Sequence, residues 1–163
     1  MQQELAFSIR FATQNEVPEI LDFIKQLAHY EKLDNQVIAT EELLSTWIFK
    51  ENKAKVLFAE FQGKKIGFAL FFYNFSTFLG KAGIYLEDLF ILPEFRGKGY
   101  GKALLKKLAQ TVVKEGCGRL EWSCLDWNKS SIDFYLSLDA KPLEDWTIYR
   151  LTGDPLKKLA EEG

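Results

Sequence analysis

The sequence is poor in the residues that build metal centres and disulfide frameworks. It has two cysteines, Cys117 and Cys124, and a single histidine, His29. The cysteines show neither the spacing of a zinc site nor a C-x-x-C redox motif. We therefore expect two reduced thiols, no bound metal, and a cytosolic compartment.

Long apolar runs and basic clusters are also missing. No apolar stretch approaches the roughly 18 residues that a membrane-spanning helix requires. The opening residues, Met-Gln-Gln-Glu, lack the basic and apolar regions of a secretory signal. The net charge is −2 with acids and bases interspersed, which argues against a nucleic-acid binder and suits a cationic ligand better. We expect a soluble, cytoplasmic protein with neither a nucleic-acid nor a membrane partner.

What is present is enough hydrophobic sequence for one core. The chain has 163 residues, 47% of them hydrophobic, and shows no repeat or linker. Stretches with the period of a strand alternate with stretches of helical period, so the pattern predicts one mixed α/β domain over residues 1–163. The predicted strands are 6–11, 56–61, 66–73, 81–91, 120–125 and 147–151. Two predicted helices begin after Thr13 or Asn15 and after Thr40. Three more cover 101–115, 128–138 and 154–162.

Several helix signals are local. Thr13 and Asn15 are both possible N-caps of the first helix, and Glu16 completes a capping box with Thr13. Thr40 is the expected cap of the second helix. Its apolar side comprises Leu43, Leu44, Trp47 and Ile48.

A glycine-rich segment between the strand 81–91 and the helix 101–115 predicts an anion site. Glycines allow the backbone N–H groups to converge, and the helix N-terminus adds partial positive charge. The segment fails the Walker A pattern, because Arg96 stands at the first glycine position and Ala103 at the hydroxyl position. It also fails Gly-x-Gly-x-x-Gly. It fits Arg-x-x-Gly-x-Gly, with Arg96, Gly99 and Gly101.

Two motifs carry a resemblance to a known family. They are Tyr85-Leu-Glu-Asp-Leu-Phe-Ile-Leu-Pro-Glu-Phe-Arg-Gly-Lys-Gly-Tyr-Gly101 and Leu125-Asp-Trp-Asn-Lys-Ser-Ser-Ile-Asp-Phe-Tyr135. With them the chain resembles the GNAT N-acetyltransferases, in the branch of the diamine (spermidine/spermine) and thialysine enzymes. The resemblance implies an α/β (α+β) fold with a mixed, mostly antiparallel sheet, helices on both faces, and a splay between the fourth and fifth strands. It also implies a homodimer.

The resemblance implies acetyl-CoA as cosubstrate and a set of residues that hold it. The loop amides would bind the pyrophosphate, and the backbone of the preceding strand would hold the pantetheine arm. Carried over by position, the cofactor residues are Leu89, Phe90, Ile91, Arg96, Gly97, Lys98, Gly99, Tyr100, Gly101, Asn128 and Ser131.

Two adjacent acids, Glu87 and Asp88, interrupt an otherwise apolar strand. Acetyl transfer to an amine requires a neutral nucleophile, so a base and attracting acids are expected. Neighbouring strand residues point to opposite faces, so both acids reach one pocket only if the strand is bulged or splayed. The alternative is a solvated pair of acids. The resemblance implies Glu87 as the base, acting through water.

The resemblance names Tyr135 as the partner of the thiolate leaving group. Spacing alone favours a different interpretation, in which Tyr135 is a core residue of an amphipathic helix. A phenol is a weaker acid than a thiol, so we expect hydrogen-bond stabilisation to matter at least as much as proton donation. A ping-pong route through Cys124 is the rival, but His29, the one histidine, has no reason to approach it.

The acceptor side is implied by the same resemblance. Tyr30, Glu31, Glu87, Asp88 and Trp146 would contact the amine, and Glu121–Ser123 would lie along the rest of its channel. Residues 76–81 lack the acid and tryptophan of the polyamine enzymes, which favours shorter amines, and Asp139 replaces a glycine after the Tyr135 helix. Other acceptors (an aminoglycoside, a protein N-terminus), a non-catalytic acyl-CoA sensor and a nucleotide-binding module are the alternatives.

Overall fold

The computed structural model describes residues 6–163, in two compact units that meet in sequence at Leu125 and Asp126. The first unit contains a five-stranded sheet with strand order β1-β2-β3-β4-β5. All neighbours are antiparallel except β4 and β5, which are parallel. The strands are β1 Phe7–Phe11, β2 Lys55–Phe61, β3 Lys64–Ser76, β4 Lys81–Ile91 and β5 Leu120–Trp122.

The first unit also contains three helices. They are α1 Val17–Tyr30, α2 Glu41–Leu44, which continues as a π-helical segment Ser45–Lys50, and α3 Tyr100–Glu115. The second unit contains α4 Lys129–Ser137 and α5 Gly153–Glu161. Within residues 6–163, no helix combines the length and the apolar character needed to cross a membrane.

Local signals in the sequence fix most element ends. Glu16 forms the capping box with Thr13, so Thr13 rather than Asn15 caps the first helical turn. The Thr40 hydroxyl accepts the Leu43 N–H at 3.1 Å. Gln62 and Gly63 both have positive φ, 50° and 79°, as a two-residue type I′ hairpin requires.

Both faces of the sheet are covered by helices. Leu57 and Phe58 are adjacent in β2 and therefore point to opposite faces, yet each is at most 2% exposed. Phe58 lies in a cluster with Phe23 of α1. On the other face, the Tyr73 hydroxyl donates to Glu115 at the end of α3. This arrangement confirms the predicted GNAT-like fold.

The β4–β5 pairing is short and then ends. It covers only Ile84↔Leu120, Tyr85↔Glu121 and Leu86↔Trp122, although β4 continues to Ile91. The predicted fifth strand, 120–125, therefore stops at Trp122. The end of the pairing leaves one edge of β4 open beyond Leu86, which agrees with the predicted splay.

One predicted strand is wrong. Residues 147–151 are not a strand: a strand needs a neighbour for its N–H and C=O groups, and the unit containing these residues has no strand. On the apolar side of the second helix, Leu43 and Trp47 are 47% and 54% exposed, while Ile48 is buried. The change from α to π geometry at Ser45 shifts the angular phase, so the apolar stripe is not continuous.

Candidate active site

The glycine loop offers a row of hydrogen-bond donors at the start of α3. Gly97 and Gly99 have φ of 76° and 87°, and Gly99 is the N-cap of the helix. The N–H of Arg96 donates to Pro93 and that of Ala103 donates to Gly99. Between them, the six N–H groups of residues 97–102 donate to no acceptor within residues 6–163. Six convergent donors at a helix N-terminus suit a diphosphate.

The Arg96 side chain ties this loop to the rest of the site. Its Nε donates to the carbonyl oxygen of Ile91 at 2.8 Å. Its guanidinium carbon lies 4.9 Å from the centre of the Tyr30 ring and 5.1 Å from that of Phe90. The sequence predicted Arg96 as a cofactor contact. The structure adds that its side chain joins the loop to α1 and β4.

The open edge of β4 lies directly before the loop. Leu92 donates to Ile66 of β3, so by the antiparallel alternation Phe90 and Asp88 also bond toward β3. The backbone groups of Leu89 and Ile91 therefore point toward the opposite, unpaired edge. Arg96 donates to the carbonyl oxygen of Ile91 there. The N–H groups of Leu89 and Ile91 and the carbonyl of Leu89 remain for an extended chain that lies along this edge.

A β-bulge in β4 lies at the predicted acid pair. Leu70 of β3 pairs with Asp88, and the next residue, Phe71, pairs with Leu86. Glu87 is thus the extra residue, without a partner on β3. This satisfies the condition under which Glu87 and Asp88 reach the same face of the strand.

The bulge places the two acids near a third, Glu31, at the C-cap of α1. Burial raises the pKa of Asp88 to about 7, and the charges of Glu87 and Glu31 add to that rise. The pKa of Glu31 is raised by burial and by Glu87. No Lys, Arg or His of residues 6–163 forms an ion pair with any of the three.

The three acids bring negative charge together at one place. Within the described residues, no group of three or more His, Cys, Asp or Glu has an arrangement that could hold a metal ion. An ammonium group on a flexible chain can approach several carboxylates at longer distances than metal coordination allows. The site therefore suits an organic amine.

The remaining predicted residues belong to the second unit. Asn128 caps α4, where its side chain accepts the Ser131 N–H at 3.4 Å. Tyr135 lies in the same helix, and Trp146 is 75% exposed. The approach of Asn128, Ser131, Tyr135 and Trp146 to the loop and to Glu87 stays a prediction.

Sequence reasoning placed Glu121 on the acceptor side but missed its polar partners. Asn74 Nδ2 donates to Glu121 Oε1 at 3.1 Å, and Arg119 Nε lies 3.0 Å from the same oxygen. The hydroxyl of Tyr85 on β4 lies 2.6 Å from that of Ser123, the residue after β5. The signal that was available is Asn74, a polar residue inside the aromatic β3 sequence.

A family model described as "Acetyltransferase (GNAT) family" matches residues 19–139. The chain belongs to the GNAT acetyltransferase family. Thialysine N-epsilon-acetyltransferase from Sus scrofa is 38% identical over 93% of this chain and 96% of its own length. L-ornithine N5-acetyltransferase from Arabidopsis thaliana is 32% identical over 93% and 86%.

Among solved structures, an integron cassette protein from V. cholerae superposes with a TM-score of 0.80. It is 28% identical and covers 96% of this chain and 99% of its own. The predicted family and acetyltransferase class are thereby confirmed. The GNAT chain is an enzyme of amine acetylation, as its curated relatives are.

Proposed function

We propose that this GNAT chain transfers an acetyl group from acetyl-CoA to a primary amine of a small cationic acceptor, by direct attack in a ternary complex. The observation that carries the proposal is the double role of β4. Its bulge presents Glu87 and Asp88 beside Glu31, and its open edge runs from Leu89 into the row of free N–H groups. One strand thus aligns an acceptor site with a cofactor site.

The residues present fit coenzyme A. The N–H groups of residues 97–102 offer more donors than one phosphate can use, and a pyrophosphate uses them best. Lys98 adds a positive charge at the loop, and the edge at Leu89 and Ile91 can pair with the amide groups of the pantetheine arm. Acetyl-CoA, when bound, supplies the thioester carbonyl and a thiolate leaving group.

On the acceptor side, the acids first attract the cation and then take up a proton. An alkylamine with a pKa near 10.4 is protonated at neutral pH, and deprotonation costs about 4 kcal/mol. Glu87, the exposed bulge residue, receives this proton through a water molecule. Asp88 and Glu31 hold the ammonium beforehand, and the roles of Tyr30 and Trp146 as acceptor contacts rest on the family resemblance.

Tyr135 acts on the leaving group. Complete proton transfer from a phenol to a thiolate is uphill by about 2 kcal/mol, so its hydrogen bond to the developing thiolate carries much of the effect. Asn128 and Ser131 at the start of the same helix contact the cofactor.

A covalent route through Cys124 has no support from the only histidine. His29 Nδ1 lies 2.8 Å from Asp34, and its side chain is 83% exposed at the end of α1. A catalytic cysteine requires a base or another partner that lowers its pKa. Direct transfer needs no such partner for a cysteine. We further propose a single-domain homodimer located in the cytoplasm.

A panel of amines with acetyl-CoA and a thiol-release assay tests the proposal. The panel includes diamines, polyamines, basic amino acids, an aminoglycoside and a peptide N-terminus. Glu87→Gln and Tyr135→Phe are expected to lose most of the turnover while coenzyme A still binds in calorimetry, and Cys124→Ser is expected to keep it. Acetylation of no amine by the wild type would contradict the proposal.

A further inference from the structure

The sheet face that carries the acids continues toward β5 as a strip formed by Phe72, Asn74, Tyr85 and Glu121. Phe68 of β3 stacks on Phe23 of α1, so Phe68 and every second residue after it project from the face that α1 covers. This set includes Phe72, whose ring lies 5.3 Å from that of Tyr85. Asp88, which pairs with Leu70, lies on the same face.

The strip ends in an ion pair of unusual geometry. Glu121 pairs with Tyr85 across β4 and β5, and Asn74 Nδ2 donates to its Oε1. Arg119 Nε lies 3.0 Å from that oxygen, but without the alignment of a hydrogen bond. The Arg119 and Glu121 side chains are 38% and 28% exposed, so a ligand can reach them.

Each member of the pair retains free bonding capacity. Arg119 uses Nη2 to donate to the carbonyl of Phe75, and its Nη1 bonds to nothing within residues 6–163. Glu121 Oε2 likewise has no partner there. A guanidinium nitrogen and a carboxylate oxygen side by side complement a group that carries an adjacent carboxylate and ammonium.

The separation between this pair and the base is close to the length of an amino-acid side chain. Glu121 of β5 stands beside Tyr85, two residues before Glu87 on β4. The rise along the strand and the spacing between neighbouring strands together correspond to about 8 Å between the α-carbons. The side chain of a lysine-like amino acid spans about 6 Å from its α-carbon to its terminal nitrogen. A polyamine would instead place a second ammonium beside Arg119.

We propose that Arg119 and Glu121 form a binding site for the α-amino-acid head group of the acceptor, Arg119 for its carboxylate and Glu121 for its α-ammonium. This inference rests on the proposed acetyltransferase function and assigns its acceptor class, a basic α-amino acid with a terminal primary amine. The positive charge of Arg119 disfavours the second ammonium of a diamine at the same position.

Matched acceptors test the site. L-lysine and cadaverine carry the same terminal amine and differ by the α-carboxylate, as L-ornithine and putrescine do. Initial rates with acetyl-CoA give kcat/KM for each member of a pair. The wild type should prefer the amino acid by about tenfold or more, the size expected of one charge-assisted contact.

Arg119→Gln should reduce this preference by about tenfold, because only the amino acid carries the carboxylate that Arg119 binds. The loss should appear in KM for the amino acid, since the head group is bound equally before and during the reaction. Glu121→Gln should instead raise KM for both members of a pair, because both carry the ammonium that Glu121 binds. Lys50→Gln, which removes a charge from an exposed side chain outside the strip, should leave the preference intact.

Thermal unfolding and coenzyme A binding show whether the variants are folded. Arg119→Lys, which keeps the charge but loses the fork of N–H donors, replaces Arg119→Gln if that variant is not folded. A preference that survives the substitution of Arg119 overturns the head-group site, and so do unchanged KM values in Glu121→Gln. So does a wild type that acetylates cadaverine as well as L-lysine. A wild type that acetylates neither overturns the proposed function instead.

Discussion

The guanidinium carbon of Arg96 lies 4.9 Å from the centre of the Tyr30 ring. This stacking joins the cofactor loop to the end of α1, one residue before Glu31. The same side chain is fixed by its bond to the Ile91 carbonyl. Arg96 thus couples the position of the loop to that of the acceptor acids. A substitution of Arg96 should therefore change both coenzyme A affinity and the KM for the acceptor.

Arg96→Lys keeps the charge but loses the planar group that stacks and the directed Nε bond. We expect coenzyme A affinity to fall by about tenfold, or about 1.4 kcal/mol. The KM for the acceptor should rise as well, because Tyr30 loses its stacking contact with the guanidinium group. Calorimetry and steady-state kinetics measure the two effects. Unchanged values for both would contradict the coupling.

Gly99→Ala should weaken coenzyme A binding, whereas Gly101→Ala should not. Gly99 has φ of 87°, where a side chain is strained by about 1 kcal/mol, and relief of that strain would turn the loop N–H groups away. A Cβ at Gly101 would meet only Ile91, at an ordinary 3.9 Å. Binding titrations of both variants compare them directly, and equal losses would argue against a conformational role of Gly99.

Asp88→Asn should remove a dependence of stability on pH. The folded-state pKa of Asp88 is about 7 against an ordinary 3.8, so the folded protein binds the extra proton and loses stability as pH rises from 4 to 7. The loss amounts to at most about 4 kcal/mol. Urea unfolding at several pH values measures it for both proteins. Parallel curves would show that Asp88 is not shifted.

Asp139→Gly should stabilise the second unit. Asp139 has φ of 64° and follows α4, where its N–H donates to Leu136 and that of Ala140 donates to Tyr135. These bonds form a Schellman motif, whose left-handed position favours glycine. We expect a gain of about 0.5–1 kcal/mol in unfolding free energy. Asp139→Ala, the control for the lost charge, should give no gain.

How far the sequence predicts the structure depends on whether a feature is local. The loop at Gly97 and Gly99 and the cap at Gly116 follow from glycine at left-handed positions, so their motifs identify them. The Glu87 bulge depends on the register between β3 and β4. The sequence could state it only as a condition for both acids to share a face.

Features that depend on distant partners were missed or mistaken. The pattern of 147–151 is that of a strand, but pattern alone does not provide the neighbour that a strand needs. Arg119 and Asn74 are 45 residues apart in sequence and meet at Glu121 only because β5 returns beside β4. No spacing rule predicts such a meeting.

A crystal structure with bound acetyl-CoA tests the central claim most directly. We predict that the pyrophosphate oxygens accept hydrogen bonds from N–H groups of residues 97–102, with the pantetheine arm along Leu89 to Ile91 and the thioester facing Glu87. A cofactor bound elsewhere, or a loop whose N–H groups face away from the phosphates, would contradict the account.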